Sequence, residues 1–491
     1  MRRTFLRAAV ASALAGPAAA QTGPFTVSGG GSTLAMNLYN RTAQAIATPT
    51  GVGLNVLTQG LNTAGPAGML AYTAAASARG QLAFLAQDLS VDTAADADAG
   101  ATVHYGASDA YLTADQLACW NEGDSGTCTA AGIPVPAAAA SLKGGPLIQL
   151  PAVGTPVTIA HTVPLTKTLY LDDNDLCGIF SGRITDWSGI ETKPDGHAPR
   201  GLGGAIAVVY RQDGSGTSFL FTQHLSRVCT AANTAPGVTF AATKYFADAF
   251  GSPVITCNDH LACEHAIGPG QSPAAASFTG ASTSAGVADT LINGAYRVSY
   301  LTPDYTAIAP KALAHYAKVA SLLGLSITDP GVQPSLSPYQ YIQVAKLYNR
   351  NSATYYAPTP GAALQGLDNP GSDDVGLDYP KTKTTALNPL RWIPQIADPI
   401  QGYPVVGFTT LDLATCYADP QVQNYLIAFL TQLYAPVNRT NLKLEGFVPM
   451  PSGYVAAIMS VFVKGTSTYA VNIGNPGLCN DNGFPGTAPG L

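Results

Sequence analysis

The stretch VVYRQDGSGTSFLFTQHL, residues 208–225, sets Arg211 two positions before Asp213 and follows them with Ser215, Gly216 and Thr217. A guanidinium is a planar fork of donors matched to two oxygens of an oxyanion. A carboxylate two residues on would hold that fork in place and temper its charge. Ser215 and Thr217 offer hydroxyl protons, and the Gly216 N–H can approach a ligand with no side chain in the way. The chemistry is capture of an anion at the start of a helix. The local pattern is suited to it: a β-branched run ends in small residues and then in apolar residues at helical spacing, so strand, turn and helix follow in order. Ser215 reads equally as an ordinary helix cap.

Three other segments carry polar groups of the same character. GGGSTLAMNLY (29–39) brings Ser32, Thr33 and the Leu34 N–H to an apolar helix start, and TQGLNTAGPAG (58–68) places Thr63 in a second glycine-containing turn. VHYGASDAYLT (103–113) puts Asp109 just beyond a strand-like run, where a cap after Ser108 is the plainer reading.

The elements that must position these residues read as α/β. LIQLPAVGTPVTIAH (147–161) and AIAVVY (205–210) are buried strands, and DPQVQNYLIAFLTQLY places Val422, Tyr425, Leu426, Phe429, Leu430 and Leu433 on one helical face. At 491 residues the chain exceeds one ordinary core. The loop-rich stretches 119–146, 252–285 and 349–400 read as surface insertions. Only 11% of residues are charged, against roughly 25% in typical globular proteins. A net charge of −6 leaves no basic face for nucleic acid. An anion site here must rest on local dipoles and a few placed charges.

Arg2, Arg3 and Arg7, the apolar Ala8–Leu14 stretch and Ala18–Ala20 read as a cleaved signal peptide over 1–20, with RRTFLR open to a twin-arginine or an ordinary basic head. The mature chain is expected in the periplasm or secreted. Eight cysteines fit such a compartment. Spacing pairs Cys119 with Cys128 and Cys257 with Cys263. CNDHLACEH (257–265) has metal-ligand residue types, but an oxidising compartment favours a disulfide-closed loop with solvated His260 and His265, so no metal is assigned. His104 and His161 read as satisfied polar groups at strand ends. Ser215 stands in D-G-S-G-T rather than the G-x-S-x-G of a nucleophile elbow, and the nearest histidine, His224, is about two helical turns on. No catalytic residue and no cofactor are assigned.

Taken in order, GGGSTL, GASD and RQDGSGTSFLFT closely resemble the signature turns of the phosphate-binding proteins that serve bacterial ABC importers. The likeness is closest to the DING branch, through LCGIFSGRITDWSGI (176–190), YRVSYLTPDY (296–305), GYPVVGFTTLDLATCYA (402–418) and FVPMPSGY (447–454). The main loop departs from it: DING proteins tend to have Glu-Ser-Ser-Gly-Thr where this chain has Asp-Gly-Ser-Gly-Thr.

The resemblance implies a two-lobed type II periplasmic-binding-protein fold with inorganic phosphate in the cleft between lobes. The ligands would be Thr33, Leu34, Thr63, Asp109, Arg211, Ser215, Gly216 and Thr217, with Asp213 behind Arg211. Lobe 1 would comprise 22–163 and 403–491, lobe 2 residues 164–402, with crossings near 162–168 and 396–403. It also implies the disulfides Cys177–Cys229 and Cys416–Cys479, a monomer, and delivery to an ABC transporter permease. A secreted role, with phosphatase activity or protein interaction, is the alternative. Asp109 carries the selectivity argument: an ionised carboxylate only accepts hydrogen bonds. Phosphate near neutral pH keeps a proton to donate and sulfate does not, so the carboxylate penalises sulfate.

Overall fold

The computed structural model describes residues 25–34, 39, 68–123, 125–133, 141–164, 168–190, 202–260, 262–271, 277–306, 342–375, 382–436, 438–444, 446–479 and 491. Two five-stranded sheets organise it, beside a smaller sheet of β6 (Tyr170–Leu171), β13 (Lys346–Asn349) and β14 (Thr354–Tyr356). The first contains β1 (Phe25–Gly31), β2 (Gly68–Thr73), β3 (Tyr105–Ser108), β4 (Leu147–Pro156) and β15 (Val406–Ala414), in the order β2-β1-β3-β15-β4. β1 runs parallel to both β2 and β3, while β15 runs antiparallel between β3 and β4. The second contains β5 (Thr158–His161), β7 (Ala207–Arg211), β10 (Ser277–Ala281), β11 (Arg297–Leu301) and β12 (Gln343–Val344), in the order β10-β7-β11-β5-β12. Here β7 is parallel to β10 and β11, and β5 is antiparallel to β11 and β12. Each sheet therefore carries a single antiparallel strand, β15 or β5, second from one edge. Strands covered on both faces read as near-continuous apolar runs, and β4 and β15 are buried along their whole lengths.

The 147–161 run is two strands in two different sheets. The chain changes sheet at Val157. Its return passes beside the same point: the Val157 N–H donates to the Val405 carbonyl at 2.9 Å, and Tyr403 Oη donates to the Val157 carbonyl at 3.0 Å. The 252–285 stretch is also more than an insertion. It contains a hairpin of β8 (Val254–Cys257) and β9 (Cys263–Ala266), and then β10, an edge strand of the second sheet.

Helices cover the sheets, and those that position the site begin just after strand ends. α1 (Ser77–Ala86) follows β2, α2 (Asp173–Ser181) packs beside α3 (Gly216–Val228), and α4 (Thr283–Ile292) follows β10. α1 lies directly on β1: a Cβ on Gly80 would fall 2.4 Å from Gly31 Cα, and Gly31 itself has φ +129°. Part of the Gly29–Gly31 run thus serves close helix–strand packing. α5 (Pro420–Leu433) buries the six apolar residues of its expected face and is capped by Asp419, whose carboxylate accepts from the Gln421 N–H. Disulfides join Cys119–Cys128, Cys177–Cys229, Cys257–Cys263 and Cys416–Cys479, the second tying the end of α3 to α2.

Candidate functional site

In α/β sheets, ligands gather at the carboxyl ends of parallel strands and the helix starts that follow. The turns after β1, β2 and β3 meet those after β7 and β10 in this way. Arg211 is the last residue of β7, only 2% exposed. Its Nε donates to Asp213 Oδ1 at 2.6 Å and its Nη2 to Oδ2, so the carboxylate grips one edge of the guanidinium and leaves Nη1 to turn elsewhere. Nη1 reaches Ser284 Oγ at 3.3 Å. Burial opposes the guanidinium's charge, yet Asp213, with Tyr300 and Asp109, holds its pKa above the ordinary value.

Asp109 is 2% exposed and stands beyond β3. Ser32 Oγ lies 2.7 and 2.8 Å from its two oxygens, and Ser77 Oγ is 3.1 Å from Oδ2. Burial pushes this carboxyl up to about 7, against the lowering pull of Ser32, Ser77 and Arg211. Facing it is the first residue of α3, since a Cβ on Gly216 would come 2.4 Å from Asp109 Oδ2 and 2.6 Å from Ser77 Oγ.

The other sequence candidates among the described residues fall around these two charges. Ser215 Oγ caps α3 by accepting from the Ser218 N–H at 3.2 Å. Thr217 Oγ1 is buried with no hydrogen-bond partner among the described residues. Thr33 Oγ1 lies 3.1 Å from Ser284 Oγ, and the Leu34 N–H donates to Ser32 Oγ at 3.1 Å. Thr63 lies outside the described residues.

Ser77 and Ser284 escaped the sequence reading. Their signal is the one used elsewhere, a strand running into small polar residues and then a helix, in TAAASARG (73–80) and TGASTSAG (279–286). The second was hidden within a stretch read as an insertion.

The histidines divide differently from expectation. His104 Nδ1 accepts from the Ser28 N–H at 2.9 Å. His161 Nδ1 is buried without a partner among the described residues, and burial pushes its pKa down to about 4, so the ring is neutral rather than satisfied. His265 is not solvated: its Nδ1 lies 2.6 Å from Asp248 Oδ1 and its ring stacks on Tyr245 at 3.7 Å. His260 lies 3.5 Å from Asp96. Among the described residues, no cluster of His, Cys, Asp and Glu is placed to hold a metal ion.

Comparison with known proteins adds a family. Residues 16–364 match the model of the PBP superfamily domain. A phosphate-binding protein from an unknown prokaryotic organism is 30% identical over 470 residues, covering 94% of this chain and 100% of that one. Alkaline phosphatase L of Pseudomonas aeruginosa is 31% identical over 462 residues, 94% of each chain. Among solved structures, a DING protein superposes with TM-score 0.64 at 27% identity, over 94% of this chain and 99% of that one. The high-affinity periplasmic phosphate-binding protein PfluDING, bound with phosphate, gives 0.62 at 27% identity over the same shares.

Proposed function

Because this chain belongs to the PBP superfamily, in the branch of phosphate-binding and DING proteins, we propose that it is an exported protein that binds one inorganic phosphate between two lobes and delivers it to an ABC importer. The observation that carries this reading is the pairing of opposites in one buried site. Arg211, held by Asp213, supplies positive charge, while Asp109 in its ionised form can only accept hydrogen bonds and so favours an oxyanion that keeps a proton to donate. Ser215, Thr217 and Thr33 donate hydroxyl protons around them, the Gly216 N–H opens the helix, and Leu34 and Thr63 complete the first lobe's share.

The change of sheet between β4 and β5, and the return to the first sheet at β15, support a division into two lobes. In this reading one lobe comprises 22–163 and 403–491 and the other 164–402. Export and a periplasmic or secreted location rest on the 1–20 segment. No described helix is long and apolar enough to cross a membrane.

A phosphomonoesterase is the second reading, favoured by the relatives named alkaline phosphatase L. The nearest histidine in sequence to Ser215 does not serve it: His224 is engaged with the Ala397 carbonyl and Asp173. Calorimetry of the mature protein with phosphate, arsenate and sulfate tests the binding reading, alongside hydrolysis of p-nitrophenyl phosphate. One phosphate per chain with no heat from sulfate is expected. Absence of phosphate binding would overturn it, and turnover abolished by Ser215→Ala would replace it with the second.

A further inference from the structure

We infer that Ser284 is a positioning residue that fixes the direction of the Thr33 hydroxyl proton, making Thr33 an obligate donor to the bound anion. The inference rests on the proposed phosphate site and assigns a role to a residue that lies outside its set of ligands. Ser284 is fully buried at the start of α4, one residue after Thr283, which has a left-handed φ of +65°. That turn places two groups of Ser284 against Thr33: its N–H donates to Thr33 Oγ1 at 3.3 Å, and its Oγ lies 3.1 Å from the same atom. On its other side Ser284 Oγ accepts from Arg211 Nη1 at 3.3 Å.

Each hydroxyl has one proton and two lone pairs. Arg211 is always protonated and can only donate, so it occupies a lone pair of Ser284 and polarises that hydroxyl toward its next partner. With Ser284 donating to Thr33, both lone pairs of Thr33 Oγ1 are filled, one by the Ser284 N–H and one by its O–H. The Thr33 proton then has no acceptor within this chain of bonds and is directed to the anion. The order is Arg211 to Ser284 to Thr33 to ligand, each step a donor feeding an acceptor. The chain also crosses between the sheets, since Thr33 follows β1 and Ser284 follows β10. It forms only when the two sets of turns are together, so its loss acts on release of ligand rather than on capture.

The test is a double-mutant cycle of Ser284→Ala and Thr33→Val, read by stopped-flow and calorimetry with inorganic phosphate, with ligand-free melting temperatures as the folding control. Ser284→Ala should raise the phosphate dissociation rate about tenfold, the order expected for one buried hydrogen bond, and leave the association rate within about twofold. In the Thr33→Val background the same substitution should change nothing further, because the proton it directs is gone. Ser284→Cys, close in volume with a weak donor, gives the same reading if the alanine variant melts early. Wild-type binding with an unchanged Ser284→Ala rate overturns the inference alone. Additive effects overturn it too, by making Ser284 a ligand in its own right. Failure of the wild-type protein to bind phosphate removes the site itself, and this inference with it.

Discussion

Gly216 and Asp109 stand so close that only a hydrogen fits between them: a Cβ on Gly216 would lie 2.4 Å from Asp109 Oδ2. The two residues belong to turns of different sheets, one opening α3 and one following β3. Their contact is therefore where the halves of the site interlock. It also takes the carboxylate out of water, the main reason that its pKa rises to about 7.

Gly216→Ala should hold these turns apart. Forcing a methyl into a packed position costs about 1–3 kcal/mol, which corresponds to roughly 5- to 150-fold in affinity. Calorimetry with phosphate measures it. Binding within about twofold of wild type would mean that the interlock is absent from the phosphate-bound form.

Asp109→Asn should narrow the selection of phosphate over sulfate more than it weakens phosphate. The amide can donate as well as accept, so it removes the penalty on an anion with no proton. The measurement is the ratio of sulfate to phosphate dissociation constants in wild type and variant. An unchanged ratio would take Asp109 out of the selecting role.

Arg211→Lys should lose nearly as much phosphate affinity as Arg211→Ala, despite keeping the charge. Asp213 grips Arg211 through Nε and Nη2 while Nη1 remains for Ser284 and the ligand. An ammonium is a point charge and cannot serve both sides at once. Titration of both variants with phosphate decides the matter, and a lysine variant close to wild type would show that charge alone suffices.

Much of this site was legible because its parts are local. A strand, a knot of small residues and a helix announce themselves within a few positions, as around Ser32, Asp109 and Arg211. The apolar face of α5 was legible for the same reason, being a periodicity within one element. What escaped depends on contacts distant in sequence. Val157 lies inside one apolar run, and only the pairing of β4 with β15 and of β5 with β11 shows that the chain changes sheet there. Ser284 looked like part of an insertion because the hairpin before it interrupts the strand pattern of the second sheet. His161 looked satisfied because a strand end normally offers partners, whereas here the backbone is paired on both sides and the ring is buried with Nδ1 unpartnered among the described residues.

His224 sits on α3 with its Nδ1 2.8 Å from the Ala397 carbonyl and its Nε2 3.3 Å from Asp173 Oδ1. A carbonyl and a carboxylate both require a donor, and only the imidazolium has two N–H groups. Burial opposes that charge, but Asp173, the Ala397 carbonyl and Asp398 outweigh it and raise the pKa. Arg350, which pairs with Asp398 and lies 3.9 Å from Asp173, is the other charge beside this pair. With the folded pKa above the unfolded value of about 6.5, the folded state holds the proton more tightly. The contribution is fully present below about pH 6.5 and is lost as pH rises through the raised pKa. His224→Gln cannot carry the charge, so wild type should exceed the variant by on the order of 1 kcal/mol at pH 6, with the gap closing toward pH 9. The buried carboxyls of Asp92, Asp109 and Asp412, each raised to about 7, also tilt stability with pH. They are common to both proteins and cancel in the difference. Denaturant melts of the pair across this range supply the measurement, and a gap that stays constant with pH would show that His224 is held as a neutral ring.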